Sequence, residues 1–253
     1  SICFIKSAIF ILVDGYLFSS NRWYIRTITP LSSISLAADD DPLKKDIRNK
    51  KMIRNFLIIN CTGKNDSIAL KFDNKFFFKK IQTNLIKNEM LVLDILTFFK
   101  ENNVKIDNKF SLIVNSGPGS FSSIRIALAV AKGIQLVNKV NVYSYNYFLL
   151  NAAPYLSKKM RIISIQKTNN FYYYSEGNFE DRYTFTVPEK INSDCLQKKD
   201  SIIVIPQEAI NNEIFDNISQ IKIKIEQFDL KNIEILVENN LLENELIKPL
   251  YLS

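Results

Sequence analysis

Histidine is absent, glycine occurs six times and cysteine three times in 253 residues. The missing histidine excludes a serine–histidine triad, a histidine general base and every histidine-ligated metal site. Cys3, Cys61 and Cys195 stand far apart with no CxxC pair. They indicate neither a zinc site nor a disulfide framework, and they suit a reducing compartment. The apolar run Ala8–Val13 stops at Asp14, far short of the about 20 residues that cross a bilayer, so no membrane association is expected. What is present, 47% hydrophobic and 23% charged residues, is ordinary for a folded chain and sets aside collagen, a disulfide scaffold and full disorder. The length accommodates one large domain or two small ones.

The net charge is +7, from 33 basic and 26 acidic residues, and only seven of the basic residues are arginines. Two readings stand: affinity for an anionic partner such as RNA, or a general bias toward Lys, Asn, Ile and Phe of the kind an AT-rich genome produces. A dedicated RNA face usually clusters arginine, which favours the second.

Residues 1–51 differ from the remainder. Serines (Ser19, Ser20, Ser32, Ser33, Ser35), the acidic run Asp39–Asp41 and the charged stretch Lys44–Lys51 precede Met52. Three readings apply to this segment: a translated upstream region with Met52 as the start, a targeting extension, or a structural arm. The consecutive carboxylates at 39–41 read as a solvated polar segment rather than a metal cluster.

From Ile53 onward the pattern is that of an α/β domain. Phe56–Asn60 is a short apolar strand. Ser67–Phe72 and Lys75–Lys80 are strands joined by the two-residue turn Asp73-Asn74. Asn84–Lys100 has apolar residues at helical spacing, on a face wider than one core contact requires. Phe110–Asn115 is a buried strand, Ser120 an N-cap for a helix over 121–137, and Asn141–Ser144 another strand. The second half repeats the theme less clearly, with strands at Arg161–Gln166, Phe171–Glu176, Tyr183–Val187, Ser201–Ile205 and Gln220–Ile225, then a helix at Leu230–Asn239. No period of 20–50 residues recurs, which excludes a solenoid.

Three of the six glycines fall between positions 117 and 133, in the window NSGPGSFSSIRIALAVAKGI, Asn115–Ile134. This is a strand, a tight Gly117-Pro118-Gly119 turn and a helix beginning at Ser120–Phe121, with Arg125 one turn in. Such a turn aims backbone N–H groups at one spot and could hold an anion. The plainer reading is a strand-to-helix turn that needs small residues. Proline at 118 and the lack of a following Gly-Lys-Ser/Thr exclude a Walker A loop.

The segment GPGSFSSIRIALAVAKG, Gly117–Gly133, resembles the GPGSFTGLRIGLATAKG signature of the TsaB/YeaZ family, the non-catalytic partner in bacterial synthesis of tRNA threonylcarbamoyladenosine. INCTGKNDSIAL, Ile59–Leu70, resembles that family's opening strand pair, IDTSTEACSVAL. KPLYLS, Lys248–Ser253, resembles its closing PxYLR. The resemblance covers about residues 53–253. It implies an α/β, actin-like ATPase (ASKHA, ribonuclease-H-like) fold with two related subdomains, 52–150 and 151–253, after the extension 1–51.

The family resemblance further implies a cytoplasmic scaffold that binds an ATP-using TsaD-like transferase, is joined by a TsaE-like ATPase, holds no cofactor of its own and meets tRNA only indirectly. The modified adenosine lies beside the anticodon of tRNAs reading codons that begin with A. In the family the contact is a bundle of the first two helices. Met90, Leu93, Ala127, Leu128 and Ala131 are therefore the interface candidates, and the same helices could pair two copies. On this reading Ala127→Glu and Ala131→Glu break the assembly and leave the monomer folded.

Departures from the pattern are Asn60 for the strand-one aspartate, Ser122-Ser123 for Thr-Gly, Lys87-Asn88-Glu89 for His-Ser-Glu, Gln166-Lys167-Thr168 for Asp-Ala-Arg, and Ser253 for the closing arginine. Losing the carboxylate at 60 removes a residue that would help organise a metal–nucleotide complex. The rival expectation is a nucleotide-binding or peptidase-like enzyme of the same fold, with Asp66 and Asp73 as its available carboxylates. A third is a degenerate chain that keeps only the fold. Cys61 lacks a histidine base and reads as a buried thiol. Arg125 braces the loop, meets a partner or is simply solvated. Tyr172–Tyr174 offer base stacking for RNA or, more plainly, a strand with tyrosines on both faces.

Overall fold

A computed structural model describes residues 53–63, 66–81, 88–168, 170–192, 196, 200–209, 212–215, 221–224, 229–244 and 248–252. The readings of residues 1–51, Met52, Lys87, Cys195 and Ser253 lie outside the described residues.

The first sheet is built around β1, Phe56–Asn60, which is buried along its whole length. Its unbroken apolar run suits a strand covered on both faces. β2, Ser67–Phe72, runs antiparallel to β1, with Asn60 opposite Ser67 and Phe56 opposite Lys71. β3, Lys75–Lys80, returns along β2 at the sheet edge. The turn between them places Asp73 and Asn74 at φ +48° and +61°, the left-handed pair that tight hairpins require.

Helix α1, Asn88–Glu101, leads to β4, Ser111–Asn115, parallel to β1. Helix α2, Phe121–Asn138, leads to β5, Asn141–Tyr145, parallel to β4. The order is β3-β2-β1-β4-β5. Lys79 meets Asp94 at 3.1 Å and ties β3 to α1. The expected helix at 84–100 thus appears over 88–101, and its first residues lie outside the described ones.

A short helix α3, Tyr147–Ala152, is capped by the Asn146 side chain, which accepts from the Leu149 N–H at 3.0 Å. A 3-10 turn, Ala153–Lys158, follows. The second sheet comprises β6, Arg161–Thr168; β7, Phe171–Phe179; β8, Tyr183–Phe185; β9, Glu189–Lys190; β10, Ser201–Pro206; and β11, Ile221–Lys224. Its main order is β11-β10-β6-β7-β8, with β9 paired to β7.

The first sheet's plan is thereby repeated. β6–β7–β8 form an antiparallel meander, and β10 and β11 lie parallel on the far side of β6. The two halves differ in their helices. Between β4 and β5 stands the 18-residue α2; between β10 and β11 the described residues form only 3-10 turns, at Gln207–Ala209 and Glu213–Phe215. Tyr172 and Tyr173 are buried. Tyr172 packs edge-on against Phe215, 5.3 Å away, among Ile163, Ile165, Ile203 and Ile205. The tyrosine run therefore fills a core, and Tyr172 and Tyr173 offer no open stacking platform for bases.

Helix α4, Leu230–Glu238, begins at Asp229, whose side chain accepts from the Lys231 N–H at 2.9 Å. Glu234 accepts a hydrogen bond from Lys71 of β2 and so reaches the first sheet. After α4 the chain pairs Glu243 with Ser144 of β5 by two backbone hydrogen bonds of 2.8 and 2.9 Å. It then passes to Leu250, whose N–H donates to the Ser116 carbonyl at 2.8 Å.

The side of α2 turned inward carries Ile124, Ala127, Val130, Ala131 and Ile134, all buried. This corrects the assignment of Ala127 and Ala131 to a partner interface: their small size serves close packing inside this chain. Their substitution by glutamate would place an unpaired carboxylate in the core, at a cost of about 3–5 kcal/mol, a large share of a domain's stability of about 5–15 kcal/mol. Ala127→Glu and Ala131→Glu are therefore expected to destabilise the monomer strongly rather than only an assembly, checked by circular dichroism and thermal unfolding of each variant.

Candidate protein-interaction site

The three motif segments that lie apart in sequence meet at one place. Asn60 and Asn115 end the parallel neighbours β1 and β4. Asn115 Nδ2 donates to Asn60 Oδ1 at 2.8 Å, and its Oδ1 accepts from the Gly117 N–H at 2.9 Å. Tyr147 lies 3.4 Å from Asn60 Oδ1 through its hydroxyl, which is 2.9 Å from Thr62 Oγ1. The Tyr147 N–H donates to the Gly117 carbonyl at 2.9 Å. Asn60 and Asn115 are buried, so these mutual hydrogen bonds offset the cost of desolvating their amides.

The Gly-Pro-Gly loop rests on the turn after β1. The Ser120 N–H donates to the Thr62 carbonyl at 2.6 Å. A Cβ on Gly119 would lie 2.5 Å from that same oxygen, so only glycine lets the two backbones approach this closely. Gly117 has φ +119°, a second reason for glycine. Ser120 does not cap α2 through its side chain; its hydroxyl lies 3.2 Å from those of Ser122 and Ser123. Its carbonyl starts the helix by accepting from Ile124. The Ser120 N–H, one of the groups expected to face an anion, is thus already bound to Thr62.

Asp66 closes the β1–β2 turn. Its Oδ1 accepts from the N–H groups of Thr62 and Gly63, both at 2.8 Å. Burial raises its pKa above the usual carboxylate value, against the lowering effect of those two N–H groups. Asp73 sits exposed in the hairpin turn. All of β2 separates the two carboxylates, about 20 Å of extended chain, so they cannot share a cation. Among the described residues no group of three or more cysteines, aspartates or glutamates could hold a metal. Cys61 is a buried thiol, its pKa raised first by burial and further by Asp66 and Asp94. A thiol held protonated is a poor nucleophile.

The outward faces of α1 and α2 carry large apolar residues among polar and charged ones such as Thr97, Lys100, Arg125 and Lys132. Met90 and Leu93 are each 43% exposed, Phe121 51% and Leu136 65%. Leu128 is half-buried on the same helix as Arg125, which is exposed. The two helices pack against one another. Of the expected interface residues, the structure places Met90 and Leu93 outward and Leu128 partly so. Sequence reading missed Asn115 and Tyr147 as partners of Asn60, and Leu136 and Tyr251 as surface residues. A polar residue ending each of two apolar strands was the available signal for the first pair.

A tRNA threonylcarbamoyladenosine biosynthesis protein TsaB from Buchnera aphidicola subsp. Baizongia pistaciae is 32% identical over 136 residues, 51% of this chain and 61% of that protein. Over that stretch the chain is similar in sequence to this TsaB protein. The matched part spans about three fifths of that relative's length. YeaZ from Pseudomonas aeruginosa superposes with a TM-score of 0.54 at 12% identity, covering 78% of this chain and 99% of that one. A protein described as similar to peptidase YeaZ from Pseudomonas aeruginosa gives 0.57 at 13%, covering 79% and 99%. No family model matches the chain. The fold is the actin-like, ASKHA type expected from the motifs. Among the described residues no helix is long and apolar enough to cross a membrane.

Two measurements test the loop. Gly119→Ala is expected to lower the melting temperature, because the new methyl meets the Thr62 backbone rather than a movable side chain. For Asp66, a pKa raised on folding means that the folded state holds the proton more tightly. Its contribution therefore favours folding at acid pH and is lost as pH rises through the carboxylate range. Asp66→Asn keeps the acceptor and removes the charge. Its melting temperature should exceed the parent's at pH 7, with the gap closing toward pH 4.

Proposed function

We propose that the chain is a non-catalytic scaffold subunit in the biosynthesis of tRNA threonylcarbamoyladenosine. It binds and supports a TsaD-like threonylcarbamoyl transferase through the outward faces of α1 and α2. The observation that carries this reading is the set of large apolar side chains, Met90, Leu93 and Leu136, that two adjoining helices turn toward solvent. Covering each contributes on the order of 1 kcal/mol, so these three side chains would supply only part of the contact energy. The neutral Asn60–Asn115–Tyr147 network supports the non-catalytic part of the reading, because a carboxylate is missing where a metal–nucleotide complex would need one.

In this scheme ATP belongs to the partner subunit and the chain holds no cofactor. A TsaE-like ATPase joins the assembly, and tRNA is met only through the partner. The complex works in the cytoplasm. A homodimer through the same helix faces competes with the partner.

The test is co-purification of the chain with the TsaD-like protein of the same organism, read by size-exclusion chromatography with light scattering. The parent should form a stoichiometric complex. Leu93→Asp, a change at an exposed position, should weaken it at least tenfold with little effect on melting temperature. Undiminished binding by Leu93→Asp would remove α1 from the interface, and a folded parent that forms no complex would refute the scaffold reading.

A further inference from the structure

Arg125 is held in place by a ring contact and a hydrogen bond. Its guanidinium lies over the Phe121 ring, 3.8 Å from the ring centre. Its Nε donates to the Tyr251 hydroxyl at 3.0 Å. The rings of Phe121 and Tyr251 stack on each other with centroids 4.8 Å apart. Tyr251 is in turn fixed by its neighbour Leu250, whose N–H is bound to Ser116 at the base of the Gly-Pro-Gly loop. Helix α2 and the C-terminal segment thus build one exposed cluster from residues 126 positions apart.

The cluster leaves the charge unspent. Among the described residues no carboxylate pairs with Arg125, and no hydrogen bond uses its two terminal Nη groups. Those groups are the fork that binds a carboxylate through two parallel hydrogen bonds. Fixing the side chain beforehand removes much of the rotamer entropy that an ordinary arginine loses on binding. An arginine flanked by aromatic rings at the edge of an apolar helix face matches the composition of binding hot spots.

We propose that Phe121, Arg125 and Tyr251 form a preset anchor for a carboxylate side chain of the partner subunit. Tyr251 and the C-terminal segment act as positioning elements for the Arg125 fork. This rests on the scaffold reading above and adds to it the chemistry of one contact. It also gives the closing KPLYLS segment a role outside the core.

The experiment measures affinity of the full chain for the TsaD-like protein at about 0.05 and 0.5 M salt, for the parent, Arg125→Gln, Arg125→Lys and Tyr251→Ala, each checked by thermal unfolding. Arg125→Gln should bind about tenfold more weakly at low salt, with most of its salt dependence gone, since screening acts on the charge pair. Arg125→Lys keeps the charge and loses the fork. It should retain the salt dependence at several-fold lower affinity. Tyr251→Ala should resemble Arg125→Lys, a pattern that simple loss of stability would not produce.

Equal affinity of Arg125→Gln and the parent overturns the proposal, as does an equal loss at both salt concentrations. If Arg125→Gln weakens binding of tRNA to the chain and leaves the partner untouched, the anion is a phosphate and the proposal is wrong. If the parent itself fails to bind the TsaD-like protein, the scaffold reading falls and this inference falls with it; a binding parent with indifferent variants sinks the anchor alone.

Discussion

Everything near the site depends on how closely the Gly-Pro-Gly loop approaches the turn after β1. The Ser120 N–H to Thr62 carbonyl bond and the bare face of Gly119 against Thr62 bring the start of α2 over the end of the central strand. That approach fixes where α2 begins, and hence which of its residues point into the sheet and which point out. It also exposes the Ser116 carbonyl and the α carbon of Gly117 to the returning C-terminal segment. A Cβ on Gly117 would come within 3.1 Å of the Leu250 carbonyl. The loop is therefore a junction of backbones, and its small residues serve approach rather than ligand binding.

The polar network below the loop follows from the same geometry. Two apolar strands end side by side, each on an asparagine, in a place that water does not reach. Their amides satisfy each other and Tyr147, and the remaining acceptor of Asn115 holds Gly117. An aspartate at 60 would carry an unpaired charge into this setting unless a cation accompanied it. Asparagine keeps the hydrogen bonds and needs no ion.

Much of the fold was legible in the sequence. The strands at 56–60, 67–72 and 75–80 and their Asp73-Asn74 turn followed from β-pattern and turn chemistry, because those signals are local. Helix faces were harder to read. Ala127 and Ala131 look like a contact surface for another chain's helix, yet both are buried inside this chain. Small residues permit close packing without saying against what. The first sheet's plan recurs in the second, yet the order of β6, β7, β8, β10 and β11 rests on pairings distant in sequence, which periodicity does not reveal. The closing segment was recognisable as a motif, while its docking beside β5 and onto Ser116 depended on long-range contacts. Tyr251 gained its place only from that docking.

On the proposed function, the outward faces of α1 and α2 are the working surface of the chain. Amide hydrogen exchange of the chain, alone and with the TsaD-like protein present, tests it most directly. Added protection is expected only at residues 88–101 and 121–138 and in the closing segment around Tyr251, with β10 and the second sheet unchanged. Protection centred on the second sheet, or none at all in a sample where the complex forms, would contradict it.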